Sequence, residues 1–147
     1  MTIKSFRGQL SNNGQDTIPL HTNNGSTGYR INKIQMLPQH ANKDIEGTIK
    51  IYSANVDDVT TPTVDIDFNE SVLLAAGIVT DAHSHEIGWS SSVVFDQVTF
   101  NQDIYVTWKC SDKVSAVNYY IELEQVKLNF NENTVATLKD IRNIEGQ

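Results

Sequence analysis

The chain has 147 residues, a hydrophobic share of 39%, a charged share of 20% and a formal net charge of −7 at pH 7. A chain of this length buries roughly two-thirds of its unfolded surface, so we expect a single domain over residues 1–147 whose core needs no disulfide or metal. The acidic balance repels a phosphate backbone, and no run of Lys and Arg is interleaved with aromatic residues, which argues against a nucleic-acid partner.

The N-terminus and the single cysteine bear on localisation and redox chemistry. Lys4 and Arg7 interrupt the first ten residues, and no stretch approaches the ~20 apolar residues of a membrane span, so we expect neither a secretory signal nor a membrane partner. Cys110 falls in phase with apolar residues of a predicted strand, which indicates a buried thiol.

Short strands and turn signals fill the first third of the chain. A loose first strand is predicted within an N-terminal arm of about residues 1–10. Asn-Gly dipeptides at 13–14 and 24–25 favour hairpin turns, so we predict that the chain opens as a meander. The next strand, at 29–36, changes the phase of its alternation midway, which indicates a β-bulge.

The middle of the chain contains exposed and buried strand patterns. Alternating apolar residues predict half-exposed strands at 49–52 and 64–68. Residues 72–79, VLLAAGIV, are apolar without a break and predict a strand that is buried on both sides. The polar segment at 80–92 is the longest candidate for a functional loop.

The last third ends in the longest ordered pattern. Strands are predicted at 104–110 and 117–130, and the second changes phase across Glu124 and Gln125, so we expect a bulge there. Apolar residues then recur at helical spacing, which predicts a C-terminal helix over about residues 132–143. The residues that would pack this helix are Val135, Leu138 and Ile141.

These elements define a fold class. About eight strands separated by turns, with no alternation of strand and helix, predict a mainly β protein: an antiparallel β-sandwich of jelly-roll-like type with a short C-terminal helix. The residues expected in its core are Val64, Ile66, Leu74, Ile104, Val106, Trp108, Ile121 and Leu123.

One histidine cluster is the strongest metal candidate. Asp81, His83 and His85 would project to one side of an extended strand, as metal ligands do in cupin-like barrels. However, the glutamate that follows the second histidine in cupins is absent, and the chain has no later histidine. We therefore favour solvated loop histidines and predict no bound metal or other cofactor.

Other catalytic patterns are incomplete. The chain has no G-x-S-x-G sequence, and residues 65–69 imitate the start of a calcium loop without its glycine or its bidentate glutamate. Glu122 and Glu124 lie two apart on one strand, a spacing more typical of solvating charges than of a glycosidase pair. The sequence therefore predicts a protein that is not an enzyme.

Five phrases carry a family resemblance. They are FRG (6–8), DTIPLHTNNGSTGYRI (16–31), FNQDIYVT (100–107), NYYIELEQVKL (118–128) and TLKDIRN (137–143). Together they resemble a family of small virion structural proteins encoded by tailed phages of marine bacteria. The resemblance implies a virion component that is assembled in the host cytoplasm.

Within that class we favour a capsid decoration or cement protein, because small β domains that bind a shell need no catalytic pocket. Its expected partners are the major capsid protein and further copies of itself, with a trimer favoured. The alternatives are a tail or baseplate adaptor or receptor-binding component, and a small carbohydrate-binding protein or metal-dependent β-sandwich enzyme. The residues predicted to make contacts are Asn23, Asn24, Thr27, His83, His85, Trp89, Phe6 and Arg7.

Overall fold

The computed structural model describes residues 2–20, 26–40, 45–81, 90–111 and 115–128. Within these ranges the strands are β1 (Thr2–Leu10), β2 (Gln15–Ile18), β3 (Thr27–Pro38), β4 (Ile45–Tyr52), β5 (Leu73–Asp81), β6 (Ser90–Phe95), β7 (Ile104–Cys110) and β8 (Val117–Lys127), and one helical turn, α1, spans Asp57–Thr60. No helix in this part of the chain is long and apolar enough to cross a membrane.

The strands form two antiparallel sheets that pack against each other. One has the order β1-β8-β3 and the other β2-β7-β4-β5-β6. Strands from opposite ends of the chain lie side by side, because β1 pairs with β8 and β2 pairs with β7. Strand β4 pairs with its neighbour β5. A long antiparallel hairpin that is rolled into two sheets gives this nesting, which is jelly-roll-like, except that β6 pairs with β5 and not with β3. The predicted β-sandwich is confirmed, and the predicted C-terminal helix at 132–143 lies outside the described residues.

The main core lies between the sheets. Alternate residues of β7 and β8 point into it, as the period-two pattern predicts. Of the eight residues expected in the core, six are fully or almost fully buried there: Leu74, Ile104, Val106, Trp108, Ile121 and Leu123. Cys110 is also buried, and its Sγ lies 2.9 Å from the carbonyl oxygen of Ser115. The prediction of a buried thiol is confirmed.

A crossover segment (residues 53–72) covers the outer face of the five-stranded sheet. It encloses a second, smaller core with the outward side of β4 and β5, which includes Tyr52, Val59, Val72, Leu73 and Ala76. Because Leu74 and Val79 point into the main core, β5 has apolar residues buried on both sides. The strand predicted at 72–79 is therefore confirmed, although Ile78 is exposed.

The strand predicted at 64–68 is wrong. These residues belong to the crossover segment, where Val64 is exposed and Ile66 is only partly buried. Two carbonyl groups of the segment accept hydrogen bonds from side chains of β4: Thr48 Oγ1 donates to Val64 O at 2.8 Å, and Lys50 Nζ donates to Asp65 O at 2.8 Å. Side chains thus provide the hydrogen bonds that a neighbouring strand would have supplied.

The opening of the chain is not a meander. Asn13 adopts a positive φ of 65°, and Gly14 N donates to Ser11 O at 2.8 Å, so the predicted turn does form. It leads the chain from one sheet to the other, because β1 pairs with β8 and β2 with β7. The first strand predicted within the arm at 1–10 is confirmed, and it is β1. The second Asn-Gly turn lies outside the described residues.

One of the two predicted bulges is present. The pairing of β3 with β8 shifts between Ile31 and Lys33, which confirms the phase change seen in β3. The bulge expected at Glu124 and Gln125 is wrong, because β8 keeps a continuous register with β1 through those residues. Two of the apolar residues that suggested this bulge do not continue the buried face of the strand. Val126 is half-buried, and Leu128 follows the end of the strand.

Candidate interaction surfaces

The structure describes three of the eight residues that were predicted to make contacts. Arg7 is exposed on β1, whereas Phe6 packs partly against the main core. Thr27 begins β3 and is half-buried. The other predicted contact residues lie outside the described residues: Asn23, Asn24, His83, His85 and Trp89. Among the three described members of the predicted set, Arg7 is the one that is exposed.

The metal candidates are not brought together in the described part of the chain. Asp81 ends β5, and the two histidines of the proposed cluster, His83 and His85, lie outside the described residues. Among the described residues, no three His, Cys, Asp or Glu side chains are arranged to hold a metal ion.

The two strand glutamates are engaged in ion pairs. Glu124 receives two hydrogen bonds from Arg30, from Nε to Oε2 at 2.8 Å and from Nη2 to Oε1 at 3.2 Å. Glu122 lies 4.0 Å from Lys33 Nζ. The hydrogen bond from Arg30 lowers the pKa of Glu124, which keeps this carboxylate ionised and makes it a poor proton donor. A glycosidase acid needs the opposite shift, so Glu124 does not fit the role of the acid in such a pair.

The outward side of the three-stranded sheet forms the first candidate surface, which we call the groove face. Its centre is β8, where Asn118 and Tyr120 point away from the core. In the register of the sheet, Tyr120 lies between Arg7 and Gln35, and Asn118 lies between Gln9 and Leu37. A shallow groove of about 1050 Å³ is lined by residues of these rows, by inward-facing residues of the same strands and by Val93 of β6 in the other sheet. The residues that line it are Arg7, Gly8, Gln9, Ile34, Gln35, Met36, Leu37, Val93, Asn118, Tyr119 and Tyr120.

The chemistry of the groove face is that of a protein contact. Gln9 Nε2 donates to Asn118 Oδ1 at 3.0 Å, which orders two amides across neighbouring strands. Leu37 is 57% exposed, and Tyr120 adds a half-buried aromatic ring. Among the described residues, no carboxylate pairs with Arg7. Aromatic, arginine and amide groups exposed on a sheet are typical of surfaces that bind proteins.

A second candidate surface lies on the other sheet. We call it the apolar patch, and it consists of Val64, Phe68, Ile78 and Val94, which are between 38% and 68% exposed. Ile78 is the cross-strand neighbour of Thr48, whose hydroxyl group bonds to Val64 O. Phe68 and Val94 line the same small cavity of about 200 Å³. Large apolar side chains with this exposure make the patch a candidate contact site.

Negative charge surrounds the apolar patch. The crossover segment that supplies Val64 and Phe68 contains five carboxylates and no Lys or Arg. Burial and the nearby carboxylate of Asp58 raise the pKa of Glu70. The buried Lys50 lies beneath the segment, and its Nζ donates to Thr63 Oγ1 at 3.1 Å. Strand β1, in contrast, contains two cations and no carboxylate.

No protein-family model and no curated protein sequence matches the chain. In structure it is similar to a protein of Bacillus endospore appendages, which form a family of disulfide-linked pili, with 12% sequence identity, a TM-score of 0.41, and coverage of 87% of this chain and 88% of that chain. It is also similar to the Yersinia pseudotuberculosis-derived mitogen, with 12% identity, a TM-score of 0.32 and coverage of 88% and 87%. At these TM-scores neither similarity carries an argument about function.

Sequence reasoning missed most residues of both surfaces, although weak signals existed. Leu37 is apolar where the alternation of β3 calls for a polar outward residue. The run Val93-Val94-Phe95 has no polar break, so at least one of its members had to face outward. These irregularities in pattern indicate exposed apolar residues, but they do not show which strands lie side by side.

Proposed function

We propose that this chain is a structural protein of a tailed-phage virion, a capsid decoration or cement protein that binds the major capsid protein. The groove face carries this proposal. Two of the phrases that resemble virion proteins, at 6–8 and 118–128, supply five of the eleven residues that line its groove, which are Arg7, Gly8, Asn118, Tyr119 and Tyr120. In this proposal, the capsid protein lies against Tyr120, Gln35 and Leu37.

Charge supports a place on the outside of the shell. The chain has a net charge of −7, which repels packaged DNA and is tolerated on an outer surface. The proposed location is the virion, with assembly in the host cytoplasm. Binding to a lattice of identical subunits also favours a symmetric, closed homo-oligomer, and a trimer is the form we propose.

Location is tested by imaging the intact virion at a resolution that traces strands. For a decoration protein we expect on the order of hundreds of copies over the whole shell, as lattice symmetry requires. A few copies confined to one vertex would instead identify a tail or baseplate adaptor.

The groove face is tested by sedimentation of the protein with capsid shells that lack it. We expect Leu37→Asp to weaken binding about tenfold or more, because it places a charge in the contact. Gln102→Asp is the matched control, since Gln102 is exposed outside the groove and the substitution introduces the same charge. Equal binding by the two variants would rule out the groove face as the capsid-binding surface.

A further inference from the structure

One end of the apolar patch lies close to the point where the chain leaves strand β8. Phe68 and Val94 form this end, where they are 68% and 53% exposed and line the small cavity of about 200 Å³. We infer that residues 129–147 fold back over this cavity, so that apolar side chains of the same chain cover Phe68 and Val94. This inference goes beyond the proposed function and does not depend on capsid binding.

Strand pairing brings the end of β8 close to the cavity. Leu128 N donates to Ser26 O at 2.7 Å, directly before β3 begins. A Cβ atom on Gly28 would lie 3.1 Å from the Leu128 side chain and 2.9 Å from that of Thr99, so both side chains lie next to Gly28. Thr99 is three residues from Asp96, which lines the cavity, and three residues span at most about 11 Å. A few residues after Leu128 therefore suffice to reach the cavity.

The groove face is farther from this exit. Tyr120, the nearer of its two central residues, lies seven positions before Lys127 on β8, which is about 23 Å at the usual rise of a strand. Between them, β8 carries Glu122 and Glu124, which are paired with cations of β3. Apolar side chains are poorly accommodated over such charged pairs. The cavity end of the apolar patch is therefore the nearer surface that an apolar segment can cover.

Residues 129–147 contain the apolar side chains that such a surface can take. Their spacing predicts the helix at 132–143 that Val135, Leu138 and Ile141 would pack. An isolated helix shorter than about 12–15 residues is marginal in water and is stabilised mainly by packing of its apolar side. The exposed side chains of Phe68 and Val94 provide a surface for that packing.

The apolar patch of a second copy is a less suitable occupant. Two patches that met would bring together two crossover segments, each with five carboxylates and no Lys or Arg, and such a contact is opposed by like-charge repulsion. Residues 129–147 contain Lys139 and Arg142 beside three carboxylates, so their charges nearly balance. They are also tethered to the same domain, which gives them an effective concentration on the order of millimolar.

The experiment measures how fast a thiol reagent labels a cysteine introduced on the patch of the full-length protein. For Val94→Cys we expect slow labelling that becomes about tenfold faster or more when Leu138→Asp is added, because the charge releases the segment from an apolar surface. Leu37→Cys is the matched control, since Leu37 is 57% exposed but lies on the groove face, and we expect Leu138→Asp to leave its labelling unchanged. The native Cys110 is buried, and the wild type measures its background.

Hydrogen exchange gives a second measurement that needs no introduced cysteine. We expect the backbone amides of 132–143 to be protected in the wild type. Val94→Asp should remove this protection while the amides of β7 and β8 stay protected, which shows that the sandwich is still folded. Leu37→Asp is the control, and we expect it to leave residues 132–143 protected.

Three results would overturn the inference. One is a segment without protection in the wild type, or labelling of Val94→Cys that Leu138→Asp leaves unchanged. Another is faster labelling of Leu37→Cys instead, which would place the segment on the groove face. The third is labelling of Val94→Cys that accelerates on dilution, which would mean that a second copy supplies the cover. Capsid binding is measured separately by sedimentation, so the failure of this inference and that of the proposed function are distinguishable.

Discussion

The ammonium nitrogen of Lys50 lies 2.8 Å from the carbonyl oxygen of Asp65, at a position where the lysine side chain is only 2% exposed. The same nitrogen donates to Thr63 Oγ1 at 3.1 Å and lies 5.8 Å from the centre of the Tyr52 ring. A buried cation with these partners ties the crossover segment to the outer face of β4. Removing it leaves polar atoms of the segment without a donor.

We therefore predict that Lys50→Met lowers the free energy of unfolding by about 1–3 kcal/mol, the cost of a buried acceptor that loses its hydrogen bond. The measurement is urea unfolding followed by tryptophan fluorescence. Lys33→Met is the control, because Lys33 is exposed and its ion pair with Glu122 spans 4.0 Å. We expect that variant to change stability by less than about 0.5 kcal/mol. Equal losses at both positions would contradict the anchoring role of Lys50.

The carboxylates of the crossover segment make stability depend on pH. Burial and Asp58 raise the pKa of Glu70, with Asp67 adding to the shift and Lys50 opposing it. A carboxyl group whose pKa is higher in the folded state stabilises the fold when protonated. This contribution is complete below the ordinary pKa of glutamate and is lost as the pH rises through the folded value.

Asp58→Asn removes the like charge, and its amide oxygen can still accept the hydrogen bond that Tyr52 OH donates to Asp58 at 3.3 Å. We predict that this variant gains more stability near neutral pH than near pH 4, because the repulsion exists only when both carboxyls are ionised. Urea unfolding across that pH range measures the difference. Asp57→Asn, an exposed neighbour in the same helical turn, is the control, and we expect its stability to depend on pH as that of the wild type does.

The main core gives a direct test of which residues face inward. Ile104→Ala and Leu123→Ala should each cost about 2–5 kcal/mol, because both side chains are fully buried and truncation leaves a cavity. Val64→Ala should cost less than about 0.5 kcal/mol, since its side chain is partly exposed on the apolar patch. Chemical unfolding measures all three. A large loss at Val64 would mean that its side chain is buried in solution.

Gly47 is a position where no side chain fits. A Cβ atom there would lie 2.6 Å from Trp108 Cη2 and 2.6 Å from the carbonyl oxygen of Lys109. We predict that Gly47→Ala lowers stability by about 1–3 kcal/mol, as forced overpacking does. Glu46→Ala, at the exposed neighbouring position, is the control and should have little effect on the urea midpoint. If both variants unfold at the wild-type midpoint, β4 and β7 are less tightly packed than described.

Sequence reasoning was most successful for strands in which the alternation of apolar and polar residues shows which side is buried. In β7 and β8 the alternation of Ile104, Val106 and Trp108, and of Ile121 and Leu123, gave the inward face directly. It failed at residues 64–68, because the same alternation is compatible with a segment that has no strand partner. The lysine and threonine side chains of β4 that hold this segment do not differ in sequence from exposed ones.

The pairing of strands could not be read from the sequence. The turn at Asn13 and Gly14 predicts a reversal of the chain, and the same local geometry serves a hairpin or a passage between sheets. The groove face depends on this pairing, since Arg7, Gln35 and Tyr120 come from three distant parts of the chain. Such a surface depends on which strands are neighbours in the sheet, so no local sequence motif predicts it.

The pairing of β1 with β8 also sets the order of events during synthesis. The Gln9 and Asn118 side chains that meet across these strands are 109 residues apart, so at ordinary ribosome speeds the first strand waits roughly 5–20 s for its partner to be made. During that interval its backbone is open to pairing with other nascent chains. The positive charges of Lys4 and Arg7 repel those of a second copy of this strand. This repulsion protects the chain from aggregation before it folds.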